Sequence, residues 1–148
     1  MVCPPQVVLC GSRPLGHRRA VPFDGGDLAT FAVSRFDYML ANPQVSRLAT
    51  WRTLEWTEPT PFERRSFEAR VVAVTAAQRE GKLRADIGAM DLYAIVLRMT
   101  ESWLSAPAGL RAVAGSNPMS ARRLREHRAA LVEAVHSVTK PQAGTRLD

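Results

Sequence analysis

Residues able to do chemistry are few in this chain, and their spacing argues against most reactions. The three histidines, His17, His127 and His136, include no pair at i and i+4, and only Glu133 with His136 can share a helix face, so no metal site is expected. Cys3 and Cys10 lie in the first ten residues, lack the Cys-x-x-Cys redox spacing and sit too near the terminus to staple a core. No Gly-x-Ser-x-Gly turn presents a serine nucleophile. Gly25-Gly26-Asp27 and Gly115-Ser116-Asn117 each open a helix, but without the glycine spacing or the lysine of a phosphate cradle they read as turns with N-caps. Glu55 and Glu58, near Trp51 and Trp56, offer a carboxylate pair of the kind acid–base catalysis needs, yet glutamates at a helix end are common on surfaces. More distinctive is the set Phe36, Tyr38, Trp51, Trp56, Met99 and Trp103. Rings and thioethers can line an apolar pocket with few polar anchors, or can pack a core. This inventory leads us to expect no enzyme activity and no cofactor.

The elements that must position these side chains follow from length and pattern. A chain of 148 residues with 46% hydrophobic and 23% charged residues suits one soluble domain with a sizeable core. No apolar run approaches the roughly 20 residues of a membrane span. The opening segment has no early positive charge and a broken apolar stretch, so it lacks a signal peptide's parts and the cytoplasm is the expected compartment. The net charge is +6, but the basic residues are scattered, and all except Lys82 and Lys140 are arginine. Their densest cluster, Arg122, Arg123, Arg125 and Arg128, falls with Glu126 on an amphipathic helix. It reads first as a solvated face and second as a partner-binding one.

Residues 1–22 hold four prolines, two glycines and no acid, show neither helical nor strand periodicity, and are expected to be an irregular lead-in. Helices are expected from Asp27, which can cap the free N–H groups of a first turn, to about 41, and from Pro43 to about 56. A third is expected at about 62–80, with Phe67, Val71, Val74 and Ala77 on its apolar face, Arg70 on another, and Gly81 as its stop. The fourth, about 89–105, is apolar nearly all round and so needs cover on more than one side. A short helical piece precedes a fifth main helix at about 119–138, and residues 141–148 are expected to be a loose tail. The expected fold is an all-α, antiparallel bundle of about five main helices spanning 23–140.

Three local features carry a family resemblance: the junction Leu40-Ala41-Asn42-Pro43 with Arg47-Leu48-Ala49-Thr50-Trp51, the turn Gln78-Arg79-Glu80-Gly81-Lys82-Leu83-Arg84-Ala85-Asp86, and the helix end from Trp103 to Pro107. Together, over about four fifths of the chain, they resemble the C-terminal regulatory domain of TetR-type transcriptional repressors. Gly88-Ala89 stands where that family often has Asp-Pro. The resemblance implies a small, often apolar effector bound among the helices. Its expected lining is Phe36, Met39, Trp51, Leu54, Met99 and Trp103, with Arg52 and Glu55 as polar anchors. It also implies a homodimer through the last two long helices, with Leu92, Ile95, Val96, Leu124, Leu131, Val135 and Val138 at the interface. Family members begin with a helix-turn-helix reader, and residues 1–22 cannot form three helices. The expectation is therefore a sensing half whose DNA reader is lost, displaced by a misassigned gene start, or supplied by a partner. The alternative is a reader-less protein that pairs with a full-length relative.

Overall fold

Among the residues described by the computed structural model, 23–55 and 58–141, six helices follow one another: α1 (Leu28–Ala41), α2 (Pro43–Glu55), α3 (Pro61–Arg79), α4 (Ala89–Met99), α5 (Ala108–Val113) and α6 (Ala121–Thr139). The described residues contain no strand, and the fold is all-α as the periodicity implies. The lead-in at 1–22 with Cys3, Cys10 and His17, Trp56, and the tail from 142 onward lie outside the described residues.

Local chemistry sets the helix ends. Asp27 Oδ1 accepts from the Thr30 N–H at 3.0 Å and starts α1. Asn42 closes α1 by donating its side-chain amide to the Tyr38 carbonyl at 2.8 Å, and Pro43 opens α2 at once. Thr60, Pro61 and Glu63 start α3 with a reciprocal capping box, in which the Thr60 hydroxyl accepts from the Glu63 N–H and the Glu63 carboxylate accepts from the Thr60 N–H. Gly81, at φ 73°, takes the left-handed conformation that ends α3. The Gln78 side chain then donates to the carbonyls of Arg84 and Ile87, and the Arg84 N–H donates to Thr139 O, so the 81–88 loop is sewn to both α3 and α6.

One expected boundary is corrected. The fourth helix stops at Met99 rather than near 105, because the hydroxyls of Thr100, Ser102 and Ser105 turn back onto the carbonyls of Leu97, Met99 and Glu101. The turns that follow swing Trp103 inward, where its ring is buried and its Nε1–H donates to Pro118 O at 3.1 Å.

The core is built on α1, α4 and α6. Leu28, Ala32 and Phe36 of α1, Leu92 and Val96 of α4, and Leu131 and Val135 of α6 are all at most 3% exposed. Their spacings of four and eight put each set on one face of its helix. Helix α1 packs along α6, and α4 contacts both, while α3 packs on α4 through Val74 and Ala77. Helix α4 is not covered all round, since Met90 and Ile95 remain exposed. The backbone of helix α2 comes close to that of α1 but not to the other helices, and none of its described side chains is fully buried.

Candidate binding cleft

Helix α3 stands apart from its neighbours on one side: its Cα atoms nowhere come within 8 Å of those of α1 or α2. Long side chains span the gap. From α2, the Arg52 guanidinium gives two parallel bonds to the Glu63 carboxylate of α3. Burial pushes the Glu63 carboxyl up, but hydrogen bonds from Thr60 and Arg52 outweigh it and hold the group below its ordinary 4.5.

Nearer the core, rings from four segments meet around one cation. Phe23 meets Phe31 of α1 edge-on at 5.0 Å and Tyr93 of α4 at 5.7 Å, and Phe67 of α3 lies 6.3 Å from Tyr93. The Arg70 guanidinium stands over Phe23, Phe31 and Phe67 at 5.6, 5.8 and 5.9 Å and donates to the Tyr93 hydroxyl at 3.0 Å. One turn along α1 from Phe31, Arg35 donates to Glu101 at 2.8 Å, while its Nε is buried without a partner among the described residues. This side of the bundle brings together aromatic rings and a small number of aimed donors, the residue types that small-molecule sites use.

Of the lining expected from sequence, Arg52 alone is seen to span the cleft. Phe36 and Trp103 come together elsewhere, on the α1–α6 side, their rings 5.4 and 5.7 Å from that of His127. Met39 is buried, and Met99 is half-buried against the core. Trp51 and Leu54, 53% and 78% exposed, and Glu55, also exposed, lie on the outside of α2. Phe31, Phe67, Arg70 and Tyr93, which meet here, are not among the residues expected from the sequence to line a site. Phe67, Arg70, Val71 and Val74 form an i, i+3, i+4, i+7 series, so Arg70 belongs to the inward face of α3 rather than to an outer one.

The expected interface residues divide. Leu92, Val96, Leu131 and Val135 are consumed by the chain's own core, 0–3% exposed, and present nothing to a second subunit. Leu124 and Val138 are half-buried, and Ile95 is 43% exposed. The arginine cluster of α6 is only partly a solvated face. Arg123 stacks over Trp103 at 4.9 Å and Arg128 reaches Asp37 of α1 at 3.2 Å, whereas Arg122 pairs with Glu126.

Two other groupings fail as reactive centres. Ser102 Oγ lies 3.2 Å from His127 Nε2, but its proton goes to the Met99 carbonyl at 2.8 Å, so the imidazole has no hydroxyl to activate. Beside α3, the Gly25–Gly26 turn leaves an open hollow of about 380 Å³ lined by Asp24 and Glu80, whose carboxylates repel an anion, while Lys82 is paired with Glu80. Among the described residues no cluster of three His, Cys, Asp or Glu side chains could hold a metal, and no helix is long and apolar enough to cross a membrane.

The fold by itself does not say what such a site does, and the comparisons with known proteins bear on it. Residues 27–136 match the family described as tetracycline repressor-like, C-terminal domain, and the chain belongs to that family. It is also similar to the crystal structure of a candidate transcriptional regulator from Streptomyces coelicolor, with 28% identity and a TM-score of 0.67 over 80% of this chain. The chain spans 63% of that protein's length. No curated protein matches it. It is a regulatory domain of the transcription-regulator class.

Proposed function

We propose that this domain senses a small effector in the cleft bounded by α1, α2, α3 and α4, and conveys occupancy through a homodimer to a DNA reader in the cytoplasm. The observation that carries this reading is the separation of α3 from α1 and α2, bridged by side chains alone. A ligand entering there would change how those bridges are made and shift the population of two helix arrangements. The dimer face we assign is the outer side of α4 and α6, where Ala94 and Ile95 of α4 and the slim positions Ala129, Ala130 and Ala134 of α6 are exposed.

The cleft is tested with Nile red, a neutral apolar dye, titrated into the full chain and into Phe67→Glu. Phe67 is 43% exposed, so the change charges the cleft mouth without emptying the core. Saturable binding that weakens about tenfold in the variant, a loss of about 1.4 kcal/mol, supports the site. Equal binding by both proteins puts the dye elsewhere and overturns it.

A further inference from the structure

The three arginines of the cleft are not in the same electrostatic state. Arg35 is paired with Glu101, whose charge it shares with Arg98, and Arg52 is paired with Glu63. Arg70 has no carboxylate partner among the described residues, and its one hydrogen bond there is to the Tyr93 hydroxyl. That leaves most of the five guanidinium N–H donors uncommitted. The Tyr93 hydroxyl, acting as acceptor in that bond, has its own proton without an acceptor among the described residues, although the residue is only 3% exposed. A nearly buried O–H and a half-buried guanidinium, side by side and short of acceptors, ask for an anion.

From this we infer that the effector is an aromatic carboxylate, its carboxyl group held by Arg70 and Tyr93 and its ring laid against Phe67 and Phe31. A second cation would be repelled by Arg70. A neutral ligand would further desolvate the guanidinium without balancing its charge. The rings around Arg70 present flat faces and edges that suit a planar body, and Phe67, the most exposed of them, marks the open side. The inference rests on the cleft reading proposed above.

The test uses 2-naphthoate, its primary amide 2-naphthamide, and decanoate, titrated by calorimetry into the full chain and into Arg70→Gln, Arg70→Lys and Tyr93→Phe, with Nile red as a control for the cleft. Naphthoate is expected to bind about tenfold tighter than either control, a preference lost in Arg70→Gln and partly restored in Arg70→Lys. Tyr93→Phe, which keeps the ring, is expected to weaken naphthoate several-fold and leave the amide unchanged, so the inference stays testable if Arg70→Gln does not fold. Equal binding of acid and amide, tighter binding of decanoate, or no naphthoate binding by a chain that still binds Nile red overturns the aromatic carboxylate and leaves the cleft standing. Loss of Nile red binding as well overturns both.

Discussion

Arg52 and Glu63 join α2 to α3 across a gap that no backbone contact closes, and Glu63 also accepts from the Thr60 N–H at 2.9 Å to start α3. One carboxylate thus holds a helix end and a neighbouring helix together. Removing it by Glu63→Ala is expected to cost about 1–2 kcal/mol, since the cap goes with the pair. Arg52→Met, which breaks the partly exposed pair and keeps the Thr60–Glu63 cap, is expected to cost less than about 1 kcal/mol. Urea denaturation separates the two, and equal costs would show that the cap contributes nothing.

His127 is expected to make stability depend on pH. Burial, and then the Arg123 charge, hold its imidazole below the ordinary 6.5. The folded state therefore favours neutral His127. Its stabilising share is full above pH 6.5 and declines as pH falls through the lowered folded value. Asp27 and Glu63, which are also lowered, act only below the ordinary carboxylate values near 4 and leave this window clear. The melting temperature should fall more between pH 7.5 and 5.5 for the natural chain than for His127→Phe. Parallel curves would remove His127 from the account.

Gly25 lets the segment carrying Phe23 lie directly on α3. A Cβ there would sit 2.5 Å from both C and O of Ala73, which are backbone atoms that cannot move aside alone. Gly25→Ala is expected to cost about 1–3 kcal/mol and to displace Phe23 from Arg70. Near-ultraviolet circular dichroism and urea melts check both effects, and an unchanged melt would mean that the turn yields freely.

For the proposed dimer, Ile95→Glu places a charge on the outer face of α4 without touching the buried Leu92, Tyr93 or Val96. Light scattering is expected to report a dimer for the natural chain and a monomer for the variant, with unchanged helicity. A dimer that survives the substitution would exclude this face.

Much of the fold was legible because helix starts and stops are local. Asp27, Pro43 and Gly81 each act within a few residues, and the apolar spacing of α1 and α6 selects the faces that are buried. The Thr60–Glu63 capping box was equally local and went unread, although its T-x-x-E spacing is plain. The cleft was not legible, because it depends on distances between helices. Periodicity cannot say that Phe36 turns to His127 while Phe31, five residues earlier on the same helix, turns to Tyr93. Arg70 was misplaced for another reason. Arginine counts as polar in any pattern, yet its stem lies along the apolar face and its head can rest among rings.

The attachment of α2 has a consequence for the order in which the domain comes apart. Joined to α1 at a tight junction and to α3 by the Arg52–Glu63 fork, with no fully buried described side chain, it has far less backbone packing than the α1–α6 pair. Elements held in this way open and close many times within the lifetime of the folded core, and their amides exchange with solvent by that local route. Protection in α2 is therefore set by how firmly the fork is gripped rather than by the stability of the whole chain, which makes this helix a built-in gauge of what happens in the gap behind it.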